Sequence, residues 1–287
     1  MLHDTFERRL VAVGELHFQT AFRIGAGKST APIGSDLPVM RDANDLPFIP
    51  GSSLKGLLRS HIESVVRAID TRTRAVCNPV CRDEWCVRDP KQLPGFQNMS
   101  DLEQAQLIYE HTCRVCRTFG SPWLASKVHI RDAMLAEPDL WVGQYHVRDG
   151  VAINRDTQTA QYQAKYDYEV VPAGTGFAFR LIAENVIDAQ IGMLCLGLRA
   201  LERGDVLLGG GRSRGLGVFK LLLAERKLFD LQHDTERLFR FLSGDSSDAV
   251  WTPITDELIR TAYLPAFRDD LQQITTGEGN DAQAPAE

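Results

Sequence analysis

The chain has 287 residues, 44% of them hydrophobic and 24% charged, with a formal net charge of −6, which is enough apolar content for one large domain or two small ones around a packed core. No run of eighteen apolar residues exists, and the opening Met-Leu-His-Asp-Thr-Phe-Glu-Arg-Arg lacks the basic-then-apolar order of an export signal, so no membrane partner is expected and a cytoplasmic protein is. Residues 1–220 carry 26 basic and 25 acidic side chains and residues 221–287 carry 6 and 13, which excludes a bulk basic protein but leaves the body free to arrange a local basic groove.

Val11, Val13, Leu16 and Phe18 alternate as an opening strand, which reaches Ile24 to Gly27 and breaks. Ile-Gly-Ala-Gly-Lys-Ser-Thr at 24–30 ends like a nucleotide-binding loop, but the position five before Gly27 is Phe22 and no helix start follows. A long loop then bears Asp36 and Asp42, the latter placed to start a turn. Pro50 and Gly51 stop that loop, and Ser52 or Ser53 is placed to cap a helix from Ser53 to about Ile69. Leu54, Leu57, Leu58, Ile62, Val65, Val66 and Ile69 recur along it at helical spacing. Beside that stripe Ser52, Lys55 and Arg59 are spaced to converge on one phosphate path, although a solvated helix face has the same pattern.

Residues 70–122 form an insertion rich in cysteine, proline and charge, with a short helix from Asp101 to about His111. Five of the six cysteines lie here: Cys77, Cys81 and Cys86, then Cys113 and Cys116 as a CxxC pair. Two short clusters in a reducing cytosol point to a structural zinc held by four thiolates rather than to disulfides. Cys113 and Cys116 are the firmest ligands, two of Cys77, Cys81 and Cys86 complete the set, and His111 is an alternative. Cys195, among apolar residues, reads as a packing thiol.

Strand-like sequence returns near Val128. Residues 145–168 are polar and aromatic without a helical period and read as an extended hairpin or mobile loop. A strand with a Pro-Ala-Gly turn follows from Glu169, then a helix from about Val186 to Arg203 and a strand from Leu216 to Leu223. Between the last two lies Gly-Gly-Gly-Arg-Ser-Arg-Gly-Leu-Gly at 209–217. Gly209, Gly210 and Gly211 can bring bare amides to a phosphate and Arg212 and Arg214 add forked cations, while the plainer reading is a glycine-rich turn. Leu228, Leu231, Leu238, Phe239 and Leu242 suit a helix over 225–242, and the tail beyond Thr275 has nothing to bury.

Strand, helix, strands, helix, strand is the order of an α+β, ferredoxin-like fold of the RNA-recognition type. The segments at 50–59, Pro-Gly-Ser-Ser-Leu-Lys-Gly-Leu-Leu-Arg, and at 209–217 together resemble the RAMP superfamily of CRISPR-associated proteins. Within it, the chain is most similar to the repeated backbone subunit of type III effector complexes. The likeness runs from about Arg9 to Lys220 and takes in residues 33–42, 111–121 and 151–160. It implies a RAMP core over 1–225 with a zinc-binding insertion at about 70–122 and a thumb hairpin at about 140–168, then a helical segment at 226–274 and a disordered tail at 275–287.

The resemblance further implies CRISPR RNA held by Ser52, Ser53, Lys55, Arg59, Arg155, Gly209, Gly210, Gly211, Arg212 and Arg214, in a complex with other subunits that include copies or paralogues of this one. Complementary target RNA would be cut with Mg or Mn, Asp36 falling on the position of the family's cleavage aspartate and Asp42 on a second acidic position. Gln158 is a further thumb contact. Two other readings stay open: a purely structural guide-binding subunit, and a precursor-processing endoribonuclease. The latter works through histidine acid–base chemistry, and neither the glycine-rich loop nor the helix start contains a histidine.

Overall fold

The computed structural model describes residues 4–28, 34–70 and 76–276. In chain order these residues form β1 (Arg8–Phe18), α1 (Gly51–Ile69), α2 (Asp101–His111), α3 (Arg114–Phe119), β2 (Val128–Ile130), β3 (His146–Ile153), β4 (Ala160–Val170), β5 (Gly176–Glu184), α4 (Asp188–Arg203), β6 (Phe219–Asp230), α5 (Thr235–Leu242), β7 (Trp251–Pro253), α6 (Asp256–Leu258) and α7 (Leu264–Thr276). Five strands make one sheet in the order β2-β5-β1-β6-β7, every neighbouring pair antiparallel. β3 and β4 pair only with each other among the named strands, as the hairpin expected over 145–168.

The alternation of β1 puts Leu10, Ala12, Leu16 and Phe18 into the core with Phe177, Phe179 and Leu181 of β5. Leu54, Leu58, Ile62 and Val66, the stripe of α1, pack into the same core with Ile191, Leu194 and Leu198 of α4. Gly197 lets the two helices approach closely, since a Cβ there would lie 2.6 Å from Leu58 Cδ1. Among the described residues no helix is long and apolar enough to cross a membrane.

Two expectations are corrected. First, α1 begins at Gly51, ahead of the serines, and its first N–H is donated to Asp132 Oδ1 at 2.7 Å rather than to a serine hydroxyl. The cause is steric: Gly51 sits so tightly on the Ile130 carbonyl that a Cβ would come within 2.1 Å of that oxygen. Second, residues 225–230 continue β6, and the helix starts only at Thr235. A register shift opposite Val13 and Gly14 changes the phase of the strand, so Leu221 and Leu228, seven residues apart, both face the core. Phe229 faces the other way and stacks with Phe6 and Phe241, centroids 5.7 and 4.2 Å apart. α7 runs to Thr276, and the remaining tail lies outside the described residues.

Gly51→Ala should therefore lower stability by about 1–3 kcal/mol, the range for forcing a methyl group into filled space. Urea unfolding of the full chain reads this as a reduced midpoint at unchanged slope.

Candidate functional site

The Gly-rich loop enters β6 beside the segment that leaves β1. Gly209, Gly211, Gly215 and Gly217 all have φ between 75° and 89°, the left-handed region that favours glycine. A Cβ on Gly209 would fall 2.2 Å from the Arg23 carbonyl. Gly210 N–H is donated to that carbonyl at 2.8 Å, so this amide serves the loop's seating and is not free for a ligand. Arg212–Arg214 make one 3-10 turn, with both arginines exposed.

Arg214 reaches across to the hairpin, where its Nη1 donates to the Tyr166 hydroxyl at 2.9 Å. Its guanidinium also lies 5.8 Å from the centre of the Tyr168 ring, and Arg23 lies 6.0 Å from the same ring. Arg23 Nε is buried with no hydrogen-bond partner among the described residues. Together Arg23, Leu37, Tyr166, Tyr168, Gly210, Gly211, Arg214 and Leu216 enclose a cleft of about 390 Å³. Arg23 and the two tyrosines were not singled out from the sequence. The available signal was the i, i+2 spacing of Tyr166 and Tyr168, which places both on one face of β4.

Asp36, one residue before Leu37, is exposed and is not itself a lining residue of this cleft. Its loop is stitched along β4. Asp36 N–H donates to Asp167 Oδ1 at 2.6 Å, Asp167 N–H donates to Asp36 Oδ2 at 3.2 Å, and Ser35 Oγ donates to Asp167 Oδ1 at 2.8 Å. The Ser35 hydroxyl and the Asp36 amide hold the Asp167 carboxyl below the usual carboxylate range. Val39 N–H and Arg41 both donate to Glu169 Oε2, at 3.1 and 2.6 Å. The second oxygen of Asp36 has no hydrogen-bond partner among the described residues. Asp42 accepts the Asn44 and Leu46 amides on Oδ1, the turn-holding role expected of it.

A second cavity, of about 580 Å³, opens at the start of α1 and is lined by Ser52, Lys55, Arg59, Trp85, Cys86, Cys116 and Ser126 among others. It shares no lining residue with the cleft. By register, Ile130 at the end of β2 aligns across the sheet with Leu181, Ala12 and Arg226, whereas Phe219 at the start of β6 pairs with Phe18, so the two places stand three strands apart and six residues apart along β1, on the order of 25 Å. Lys55 Nζ donates to Ser126 Oγ at 2.7 Å, and burial and the neighbouring Arg59 lower its pKa below the ordinary lysine value. Arg59 is turned inward, donating to Glu63, to the Gly120 carbonyl and to Cys116 Sγ. Arg155 lies at the exposed tip of the hairpin, where Asn154 Oδ1 accepts the Asp156 and Thr157 amides and Gln158 takes a φ of 53°.

The cysteines do converge. The sulfurs of Cys77, Cys86, Cys113 and Cys116 all lie within 4.8 Å of one another, with Cys77 and Cys116 at 3.3 Å and Cys113 and Cys77 at 3.9 Å. Sulfurs 2.3 Å from a tetrahedral centre stand about 3.8 Å apart, so the donor set fits one soft metal ion. Hydrogen bonds from Cys116, Cys77 and Cys86 push the Cys113 thiol well below its ordinary pKa, and the same shared contacts push Cys77 and Cys116 up. Cys81 is outside this group of four, and His111 turns its Nδ1 to the Leu107 carbonyl of its own helix at 2.9 Å. Cys195 is buried in the core, its thiol pushed up to about 11 by burial.

The model of the RAMP superfamily matches residues 15–220. A protein of Methanothermobacter thermautotrophicus described as CRISPR system Cms endoribonuclease Csm3 is 26% identical over 280 residues, covering 88% of this chain and 97% of that protein. Proteins with the same description are 50% identical over 229 residues in Enterococcus italicus, covering 74% of this chain and 88% of that one, and 27% identical over 238 residues in Mycobacterium tuberculosis, covering 74% and 86%. With α1, β2, β5, the β3–β4 hairpin, α4 and the Gly-rich loop inside the matched region, the chain belongs to the RAMP superfamily.

Proposed function

We propose that this protein is a guide-RNA-binding backbone subunit of a type III CRISPR effector complex, assembled with other subunits and with copies or paralogues of itself, and that it cuts target RNA paired to the guide. One observation carries the reading: Arg23, Arg214, Tyr166 and Tyr168 surround a cleft whose rim residue Leu37 adjoins Asp36. Guanidinium forks suit phosphates, tyrosine faces suit unstacked bases, and a carboxylate with an open oxygen stands beside both. The names of the relatives, each an endoribonuclease of a CRISPR system, support the same class of activity.

The order β2-β5-β1-β6, with α1 and α4 as the two crossovers, is that of a ferredoxin-like core, and supports a RAMP core over 1–225. The β3–β4 pair is then the thumb, carrying Arg155 and Gln158 at its tip. Ser52, Ser53 and Lys55 extend the grip from the β2 flank of the sheet, with Gly209, Gly211 and Arg212 beside the cleft. Lys55 has no carboxylate partner among the described residues and two donors left for a phosphate.

For cleavage, the arginines fix the backbone while guide pairing holds the target's 2′-hydroxyl in line with its phosphorus; the 2′ oxygen bonds to phosphorus as the P–O5′ bond breaks, the 2′ proton passes to water and the departing 5′ oxygen takes one up, leaving a 2′,3′-cyclic phosphate and a 5′-hydroxyl. Mg or Mn would supply charge neutralisation at that phosphate, and Asp36 with Asp167 beside it offers the oxygen donors such a hard ion takes. A non-catalytic, guide-holding subunit is favoured by one contact, the Asp167 amide on Asp36 Oδ2, which gives Asp36 a loop-fastening role. In the insertion, Cys77, Cys86, Cys113 and Cys116 hold a structural zinc with no position open to water.

Asp36→Ala should keep guide RNA through purification and lower target scission at least about 100-fold; product at the wild-type rate would establish the non-catalytic subunit instead. Arg23→Ala and Arg214→Ala should each weaken RNA binding and reduce the slope of log K against log salt by about one, whereas an unchanged slope would remove the cleft from the phosphate path. Elemental analysis should find one zinc per chain, retained in Cys81→Ser and lost in Cys86→Ser.

A further inference from the structure

We propose that Arg59, Glu63 and Arg67 of α1 form the outer shell of the four-thiol metal centre and fasten both cysteine clusters to the core helix. The three residues are four apart, so they form one row on the helix. Glu63, only 7% exposed, lies between the two arginines. Its Oε1 accepts from Arg59 Nε at 2.8 Å and its Oε2 from Arg67 Nη2 at 3.4 Å. Arg59 uses each of its three nitrogens on the protein: besides Glu63, Nη1 donates to the Gly120 carbonyl at 3.1 Å and Nη2 to Cys116 Sγ at 3.1 Å. Arg67 Nη2 also donates to the Cys77 carbonyl at 3.3 Å. One arginine therefore holds the second cysteine cluster and the other holds the first.

The charges support this assignment. Four thiolates around a divalent ion carry two negative charges in a half-buried place, where uncompensated charge is costly. Arg59, Arg67 and the adjacent Lys55 less the charge of Glu63 supply two positive ones. A guanidinium fork on a ligand sulfur also fixes the sulfur's direction, and partners of this kind set how firmly a metal is kept. The pattern Arg-x-x-x-Glu-x-x-x-Arg at 59–67 thus belongs to the metal centre, and Arg59 is a positioning residue rather than part of the phosphate path. This inference rests on the zinc reading above.

The test is zinc transfer from full-length protein to a colorimetric chelator, followed by absorbance, with bound guide RNA quantified in the same preparations. Arg59→Met should release zinc about 10–100-fold faster than wild type. Arg59→Lys, which keeps the charge but loses the fork, should fall between them. In the cobalt-substituted protein the sulfur-to-metal absorption band should shift in Arg59→Met. Release at the wild-type rate together with loss of guide RNA would overturn the proposal and return Arg59 to the RNA. If Arg59→Met does not fold, Glu63→Gln, similar in size and lacking only the charge, should still release zinc faster, and a wild-type rate there also overturns the proposal. Wild-type protein without zinc would sink the metal reading itself, which is a different result from unchanged release rates.

Discussion

The short backbone segment 21–26, leaving β1, is the splint that holds the cleft together. Phe22 exchanges two hydrogen bonds with Val171 at the foot of the hairpin, at 3.1 and 2.8 Å. The Ala21 and Arg23 carbonyls accept Gly217 and Gly210 N–H from the glycine-rich loop, at 2.9 and 2.8 Å. Met40 N–H reaches the Ile24 carbonyl at 2.8 Å and Ala26 N–H the Pro38 carbonyl at 3.1 Å, which anchors the Asp36 loop. Three stretches remote in sequence thus share one strand-like partner. The splint is itself fixed from below, because Phe22 is buried and stacked on Phe18 at 3.8 Å between ring centres.

This arrangement explains why glycine is needed where the cleft forms. Gly209 and Gly217 lie against backbone carbonyls at distances that no side chain tolerates, and both have positive φ. The loop is therefore shaped by close backbone contact with its neighbour, and the charged side chain it gives the cleft is that of Arg214. Gly210, whose amide is already taken, makes the same point.

What was legible in the sequence followed from local chemistry. The apolar stripe of α1, the polar hairpin and the two cysteine clusters each depend on residues close in the chain, as does the strand character of β1, although Val11 and Val13 face away from the core that Leu10, Ala12, Leu16 and Phe18 enter. Contacts set by chain crossings were not legible. Asp132, 81 positions away, takes the first amide of α1. Residues 225–230 read as helix because Leu228 and Leu231 stand three apart, whereas pairing with β1 carries the strand on through Asp230. Arg23 carried no motif, yet the tertiary fold sets it over Tyr168. The cysteine spacing left three candidates for two places, and the 3-10 turn at Arg82–Glu84 falls between Cys81 and Cys86, carrying the chain so that Cys86 joins Cys77 at the centre.

α1 connects the second cavity and the thiol centre. Its buried stripe ties it to α4 and the sheet, its first residue is locked onto the end of β2, and its charged row touches the thiol centre. A rigid helix fixed at three places transmits position. Because the insertion between Cys77 and Cys116 has few buried apolar side chains of its own, its shape depends on the thiol centre and on that row. The wall of the second cavity, built from Trp85, Val87 and Pro122, therefore stands where the centre places it, next to Lys55. The order of dependence runs from the core stripe to α1, from α1 to the centre, and from the centre to the flank of the groove.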